Sequence, residues 1–188
     1  MLKKGWQMAK LLIPISNGFE EIEAISIIDV CRRANIEVTV ASINNIEIIG
    51  AHRVRILADE LLKDIDTTLF DMIVLPGGLP NAFNLADDKL LQKILKEFKE
   101  SNKKIGAICA APYALHQAGV LNTNYTCYPS FEKKIKEEGY TSSKNFIIDA
   151  NVITSKGPAT AMEFALEIVK ILTDEVSYKE VKEGLLFK

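Results

Sequence analysis

The sequence predicts an α/β fold in which a mostly parallel sheet carries helices on both faces. Three observations support this. Short apolar runs of strand length alternate with helical segments along most of the 188 residues, the pattern of strand–helix–strand crossovers. Three features fall where predicted strands end and turns begin: Ser16-Asn17-Gly18, Gly77-Gly78 and Cys109. Ligands of parallel sheets bind beyond the carboxyl ends of the strands, so the fold class gathers these features together. No repeat, low-complexity tract or Ser/Gly linker interrupts the chain, so residues 8–188 are expected to form a single domain.

The elements follow in order. Lys10-Leu-Leu-Ile-Pro-Ile15 reads as a first buried strand. Asn17 with Glu20 three residues on has the spacing of a capping box, and predicts a helix over 19–34. That helix is apolar on more than one face, through Phe19, Ile22, Ile25, Ile27, Ile28, Val30 and Cys31. One stripe suffices against a core, so the second face predicts burial by another subunit. Cys31 lines up with Ile27 and is expected in the core. A second strand is predicted over 36–41, and one or two short strands over 46–57 with His52 and Arg53 between them. Asp71-Met-Ile-Val-Leu75 is a buried strand ending in Pro76-Gly77-Gly78. Helices are predicted over 80–85 and 88–100, the latter from the spacing of Leu91, Ile94, Leu95 and Phe98. Strands are expected over 105–108, 125–127, 146–149 and 152–154, and two closing helices over 158–172 and 174–182.

Composition narrows the function classes. Hydrophobic residues make up 48% and charged residues 26%, an ordinary globular balance. A net charge of -2 gives no basic footprint for nucleic acid. The longest stretch without Asp, Glu, Lys or Arg, residues 105–131, carries Pro112, His116, Gln117, Asn122 and Asn124, so no membrane span is expected. Three cysteines, Cys31, Cys109 and Cys127, lack framework spacing and predict reduced thiols in a cytoplasmic setting. Neither His52 nor His116 stands near a cysteine or carboxylate cluster in sequence, so no metal site and no cofactor is expected. Residues 1–7 start basic but are followed by no adequate apolar segment, and are expected to be a leader outside the fold, with Met8 as the functional start.

The chemistry centres on Lys104-Lys-Ile-Gly-Ala-Ile-Cys-Ala-Ala-Pro-Tyr-Ala-Leu115. A buried strand runs into Cys109, and Pro112 suits the first turn of a following helix. Gly106, Ala107, Ala110 and Ala111 leave room for a sharp reversal. This is the arrangement of a nucleophile elbow with a thiol in place of the hydroxyl. The helix's positive end would favour the thiolate. A compact buried cysteine in a tight turn fits the same residues. Glu20 and Glu21 fit a helix start, where acids complement the dipole. Glu23 differs, because it shares a stripe with Phe19 and Ile27. Desolvation there raises a carboxyl pKa, so Glu23 is a candidate general acid and base. Gly77 and Gly78 are either plain turn residues or donors of backbone N–H groups toward the sulfur, with Ala110 alongside. His52 fits an anion contact or a surface residue, and His116 a helix-end position.

Taken together, Gly18-Phe-Glu-Glu-Ile-Glu23, Asp29-Val-Cys-Arg-Arg33, Val74-Leu-Pro-Gly-Gly78, Ala107-Ile-Cys-Ala-Ala-Pro112 and Thr154-Ser-Lys-Gly-Pro158 resemble the DJ-one/ThiJ/PfpI superfamily, in its parkinsonism-associated deglycase branch and near its bacterial YajL-like members. The resemblance covers about residues 9–182. It implies a flavodoxin-like doubly wound sandwich and a homodimer. It also implies a reactive, oxidation-prone nucleophile at Cys109, a protonated Glu23 bonded to that sulfur, and backbone donors at Gly77 and Gly78. Pro158 and Tyr128 come to the pocket by the same resemblance. Tyr128 stands where animal members have a histidine, which leaves no Cys–His pair there. His52, next to Arg53, takes the place of the family's anion-contacting arginine. Ala110 follows the cysteine where the peptidase-like branch has histidine, which argues against proteolysis. The family's activities imply removal of methylglyoxal or glyoxal adducts from small molecules or proteins, a cofactor-free glyoxalase, or a redox-linked chaperone and peroxide sensor. A thiamine-pathway role has no residue here to support it.

Overall fold

The computed structural model describes residues 8–135 and 138–188. The predicted leader, 1–7, lies outside the described residues. In chain order the elements are β1 (Lys10–Ile15), α1 (Glu21–Arg33), β2 (Glu37–Ser42), β3 (Glu47–Ile49), β4 (Arg55–Leu57), β5 (Glu60–Leu61), β6 (Met72–Leu75), α2 (Asn81–Asp87), α3 (Lys89–Glu100), β7 (Lys104–Ile108), α4 (Pro112–Gln117), α5 (Glu132–Ile135), β8 (Phe146–Asp149), β9 (Val152–Ser155), α6 (Ala161–Leu172) and α7 (Glu175–Gly184).

The main sheet has the order β5-β2-β1-β6-β7-β9-β8. Every pairing in it is parallel except β8 with β9. Strand order reverses beside β1, between β2 on one side and β6 on the other. That crevice is where a doubly wound sheet places its ligands, and the layout is consistent with the flavodoxin-like class.

Period-two alternation divides the core in two. Leu11 and Ile13 of β1, with Met72 and Val74 of β6, face α1 and α6. Leu12, Ile73 and Leu75 point the other way, onto Leu91, Ile94, Leu95 and Phe98 of α3. The helical spacing of that last set is the one visible in the sequence. Cys31 is fully buried among Ile27, Val30 and Phe164, as its place on the stripe predicted. Removing a side chain such as Ile27 from this layer costs about 2–5 kcal/mol through lost burial and the cavity left behind.

Several details depart from expectation. The Asn17–Glu20 capping box does not form. Helix α1 begins after Glu20, whose side chain caps nothing, and Asn17 Oδ1 instead accepts from Ile49 N at 2.9 Å. The β3–β4 hairpin crosses over this turn, and its unpaired amide competes for the oxygen. Residues 125–127 form no strand. Tyr125 makes one bridge to Tyr140, and Thr126 N turns to the Thr154 side chain at 2.9 Å. The short β5 and α5 carry too few residues for a periodic signal and are visible only through tertiary pairing.

Candidate active site

Cys109 follows β7 directly and takes a left-handed conformation, φ 64°. For a residue with a Cβ this costs about 1–3 kcal/mol and needs support from its surroundings. The support is visible on both sides. Cys109 N donates to Ser155 O at 2.9 Å, and its carbonyl accepts from Tyr128 N at 2.8 Å. The elbow predicted from sequence is therefore present. It lifts the thiol to the edge of the crevice, where Cys109 is 8% exposed while Cys31 and Cys127 are sealed.

Glu23, in the first turn of α1, is fully buried. Its Oε2 accepts from Gly77 N at 2.8 Å. Its Oε1 has no well-angled hydrogen bond. Burial pushes the Glu23 carboxyl up to about 7, against the opposing pull of the Gly77 N–H and Cys109, while the Glu20 charge adds to the rise. A protonated carboxyl near neutral pH is the state expected from its place on an apolar stripe.

The thiol corrects a simpler expectation. Cys109 is raised above an ordinary thiol, by burial first and then by the charge and hydrogen bond of Glu23. The N–H groups of Gly78 and Ala110 pull it down. Helix α4, only six residues long, is a weak dipole for this task. The charge of each group therefore acts on the other. An ionised Glu23 repels the thiolate. A Glu23 that keeps its proton removes that repulsion and offers a donor, so a thiolate depends on a neutral acid beside it.

The backbone donors sort differently from expectation. Gly78 and Ala110 face the sulfur, while Gly77 serves Glu23. Gly77 is indispensable for space: a Cβ there would sit 2.6 Å from Cys109 Cβ and 2.8 Å from Glu23 Oε2. Gly78 has φ 90°, which favours glycine.

The remaining candidates divide. Tyr128 and Gly157, the residue before Pro158, border the site. A Cβ on Gly157 would lie 3.2 Å from the Tyr128 ring and 4.0 Å from Glu23 Oε1. Arg53 stays outside, exposed in the hairpin turn at φ 71°. His52 is largely exposed but does not stand alone: its Nδ1 lies 3.0 Å from Glu21 Oε2 and 3.6 Å from Glu20 Oε2. The sequence placed no histidine beside carboxylates, and the fold does so by laying the hairpin over α1. The hydrogen bond to Glu21, with the charges of Glu20 and Glu21, raises the imidazole. Burial would raise Glu21, but its bonds from the His52 ring and from nearby backbone N–H groups hold it below the usual carboxylate range. His52 and Val54 both donate their N–H to Glu21 Oε1, at 2.6 and 3.4 Å. Glu20, Glu21 and His52 bring possible metal-ligand atoms within 4.8 Å of one another. Because hairpin donors already occupy Glu21, the cluster works as a latch between loop and helix.

Sequence reasoning passed over Ser155, Gly157 and Asn81. The first two lie inside the Thr154–Pro158 motif, so a signal for them was present. Asn81 had none.

These features can be set beside known proteins. Residues 9–171 match the DJ-1/PfpI family. Protein DJ-1 homolog B of Arabidopsis thaliana is 40% identical over 164 residues, which is 86% of this chain and 37% of that protein. The chain thus spans less than half the length of this plant relative. The glutathione-independent glyoxalase DJR-1.2 of Caenorhabditis elegans is 39% identical over 165 residues, covering 87% of this chain and 88% of that one. The crystal structure of Drosophila melanogaster DJ-1beta superposes with a TM-score of 0.92 at 36% identity, over 97% of this chain and all of the other. With the match running from β1 into the last turn of α6 and the elbow in place, the chain belongs to the DJ-1/PfpI family.

Proposed function

We propose that the chain is a cysteine-dependent stress-response protein that acts on methylglyoxal, glyoxal or their adducts, with Cys109 as nucleophile and Glu23 as proton carrier. The observation that carries this reading is the pairing of a strained, slightly exposed thiol with a buried carboxyl poised near neutral pH. The name of the nematode relative supports a glyoxalase-type reaction. The Cys109 thiolate adds to the aldehyde carbon, and the carbonyl electrons move to oxygen, which takes the Glu23 proton. Ionised Glu23 then takes the proton from that carbon and returns it to the neighbouring carbonyl carbon, while the hydroxyl proton passes from the first oxygen to the second, leaving a 2-hydroxy thioester. Water releases a 2-hydroxy acid and frees the thiol. Attack on an aminocarbinol adduct would instead release the protein amine, the deglycase form of the same chemistry. The N–H groups of Gly78 and Ala110 steady the sulfur and the developing oxyanion.

The test is a metal-free assay of methylglyoxal consumption and adduct release with purified protein. Cys109→Ser is expected to abolish both. A wild-type rate no greater than that of buffer would sink the enzymatic reading.

A second reading is a peroxide sensor working through oxidation of the same sulfur. Its support is the exposure of Cys109 against the full burial of Cys31 and Cys127. Burial raises all three thiols above an ordinary thiol, so access to solvent is what sets Cys109 apart. Mild peroxide should therefore modify Cys109 first by mass spectrometry.

The same proposal includes a homodimer through α1, as the family resemblance implies. Ile22 and Ile25 remain 58% and 43% exposed on the face turned away from α6. The free thiols Cys31, Cys109 and Cys127 fit a cytoplasmic setting. No helix among the described residues is long and apolar enough to cross a membrane.

A further inference from the structure

Beyond the thiol and its acid, a fully buried polar side chain spans the crevice between β1 and β6. Asn81 opens α2 and is 0% exposed. A buried amide group needs partners for both its oxygen and its nitrogen, and both are satisfied. Asn81 Oδ1 accepts from Ser16 N at 2.7 Å and from Ser16 Oγ at 3.0 Å. Asn81 Nδ2 donates to Pro76 O at 2.8 Å and to Gly77 O at 3.0 Å.

Peptide geometry gives these bonds a consequence at the site. A trans peptide is planar, and its C=O and N–H point in opposite directions. The plane that carries Pro76 O also carries Gly77 N–H, the donor to Glu23 Oε2. The plane that carries Gly77 O also carries Gly78 N–H, which faces the Cys109 sulfur. One amide group therefore holds both planes by their carbonyl ends. Glu20 N adds a second hold on Gly77 O at 3.1 Å.

We propose that Asn81 is the positioning residue of the Glu23–Cys109 pair: it aims one peptide N–H at the carboxyl group and the next at the sulfur. The proposal rests on the reading of Cys109 as the reactive group, and touches no substrate itself. Asn84 serves as an internal comparison. It also bonds Ser16, through Nδ2 to Oγ at 3.1 Å, but holds neither loop carbonyl.

The test uses the full chain with Asn81→Asp, Asn81→Ala and Asn84→Ala. Asn81→Asp keeps size and the acceptor toward Ser16 but turns an acceptor against two carbonyls. The readouts are the pH dependence of iodoacetamide alkylation at Cys109, located by peptide mass spectrometry, and the thermal midpoint. Asn81→Ala should displace the alkylation profile upward by about one pH unit, an approximately tenfold slower reaction at neutral pH, because loss of the Gly78 N–H from the sulfur outweighs the relief from a more protonated Glu23. Asn81→Asp should move it further, its added negative charge acting in the same direction, so Asn81→Ala is the deciding variant. Asn84→Ala should leave the profile in place even where it lowers the thermal midpoint. If Asn81→Asp and Asn81→Ala fail to fold, Asn81→Ser, which retains one donor, carries the same comparison with a smaller upward displacement. A folded Asn81 variant with the wild-type profile would overturn the proposal, as would an equal displacement in Asn84→Ala. Alkylation reads the thiol without turnover. A wild type inert toward methylglyoxal, with the displacement present, would therefore defeat the enzymatic reading and uphold this one.

Discussion

Gly77 donates its backbone N–H to Glu23 Oε2 at 2.8 Å, across a gap that no side chain could share. This bond occupies Glu23 Oε2 and leaves Oε1 buried without a hydrogen-bond partner among the described residues.

Stability should depend on pH through Glu23. Its folded value of about 7 lies above the ordinary 4.5, so the fold binds a proton that the unfolded chain has released between those values. The stabilising contribution is fully present below pH 4.5 and is lost as pH rises through 7. The displacement corresponds to roughly 3 kcal/mol. Urea unfolding of wild type and Glu23→Gln across this range should show wild type losing that much relative to the variant. A constant difference between the two would contradict it.

Gly77→Ala should damage stability and reactivity together. The added methyl meets Cys109 Cβ and Glu23 Oε2, both well inside contact distance. Overpacking of this kind costs about 1–3 kcal/mol. Thermal unfolding should register the loss, and Cys109 alkylation should slow because the acid and the sulfur are pushed apart. A variant with wild-type stability and reactivity would show that the pair is looser than drawn.

Charge on the exposed face of α1 should disperse the proposed dimer. Ile22→Glu and Ile25→Glu place carboxylates on an apolar face that already lies open to solvent, so the monomer fold should tolerate both. Light scattering at micromolar concentration should read a dimer for wild type and a monomer for the double variant. A wild-type monomer would remove the dimer from the proposal.

The hairpin latch should loosen without Glu21. Glu21→Ala removes the acceptor of the His52 and Val54 amides and the partner of the His52 ring. Hydrogen exchange should accelerate at those two amides while β6 and β7 keep their protection. Because pairing with Glu21 raises His52, the ring's share of the latch is present below its ordinary value of 6.5 and fades as pH rises through its raised folded value.

Much of the site was legible because its key signals are local. A strand running into Cys109 among small residues is a statement about neighbours in sequence, and so is a carboxyl at Glu23 on the stripe of Phe19 and Ile27. The expected capping box failed for the opposite reason. Asn17 had the right spacing to Glu20, but an amide from Ile49, 32 residues on, took its oxygen. Gly77 was placed correctly as a donor and given the wrong acceptor, because the direction of a peptide plane is set by what holds its other end.

By itself, the sequence determined the alternation of strands and helices, the faces that become core, and the residue types at the elbow. Each of these follows from the fixed periods of strand and helix and from the steric demands of a tight reversal. Tertiary structure alone decided the strand order, the meeting of His52 with Glu21, and the Asn81 bonds that orient Gly77 and Gly78. Those depend on hydrogen bonds between segments far apart in the chain. Burial makes such bonds obligatory, while no local pattern specifies their partners.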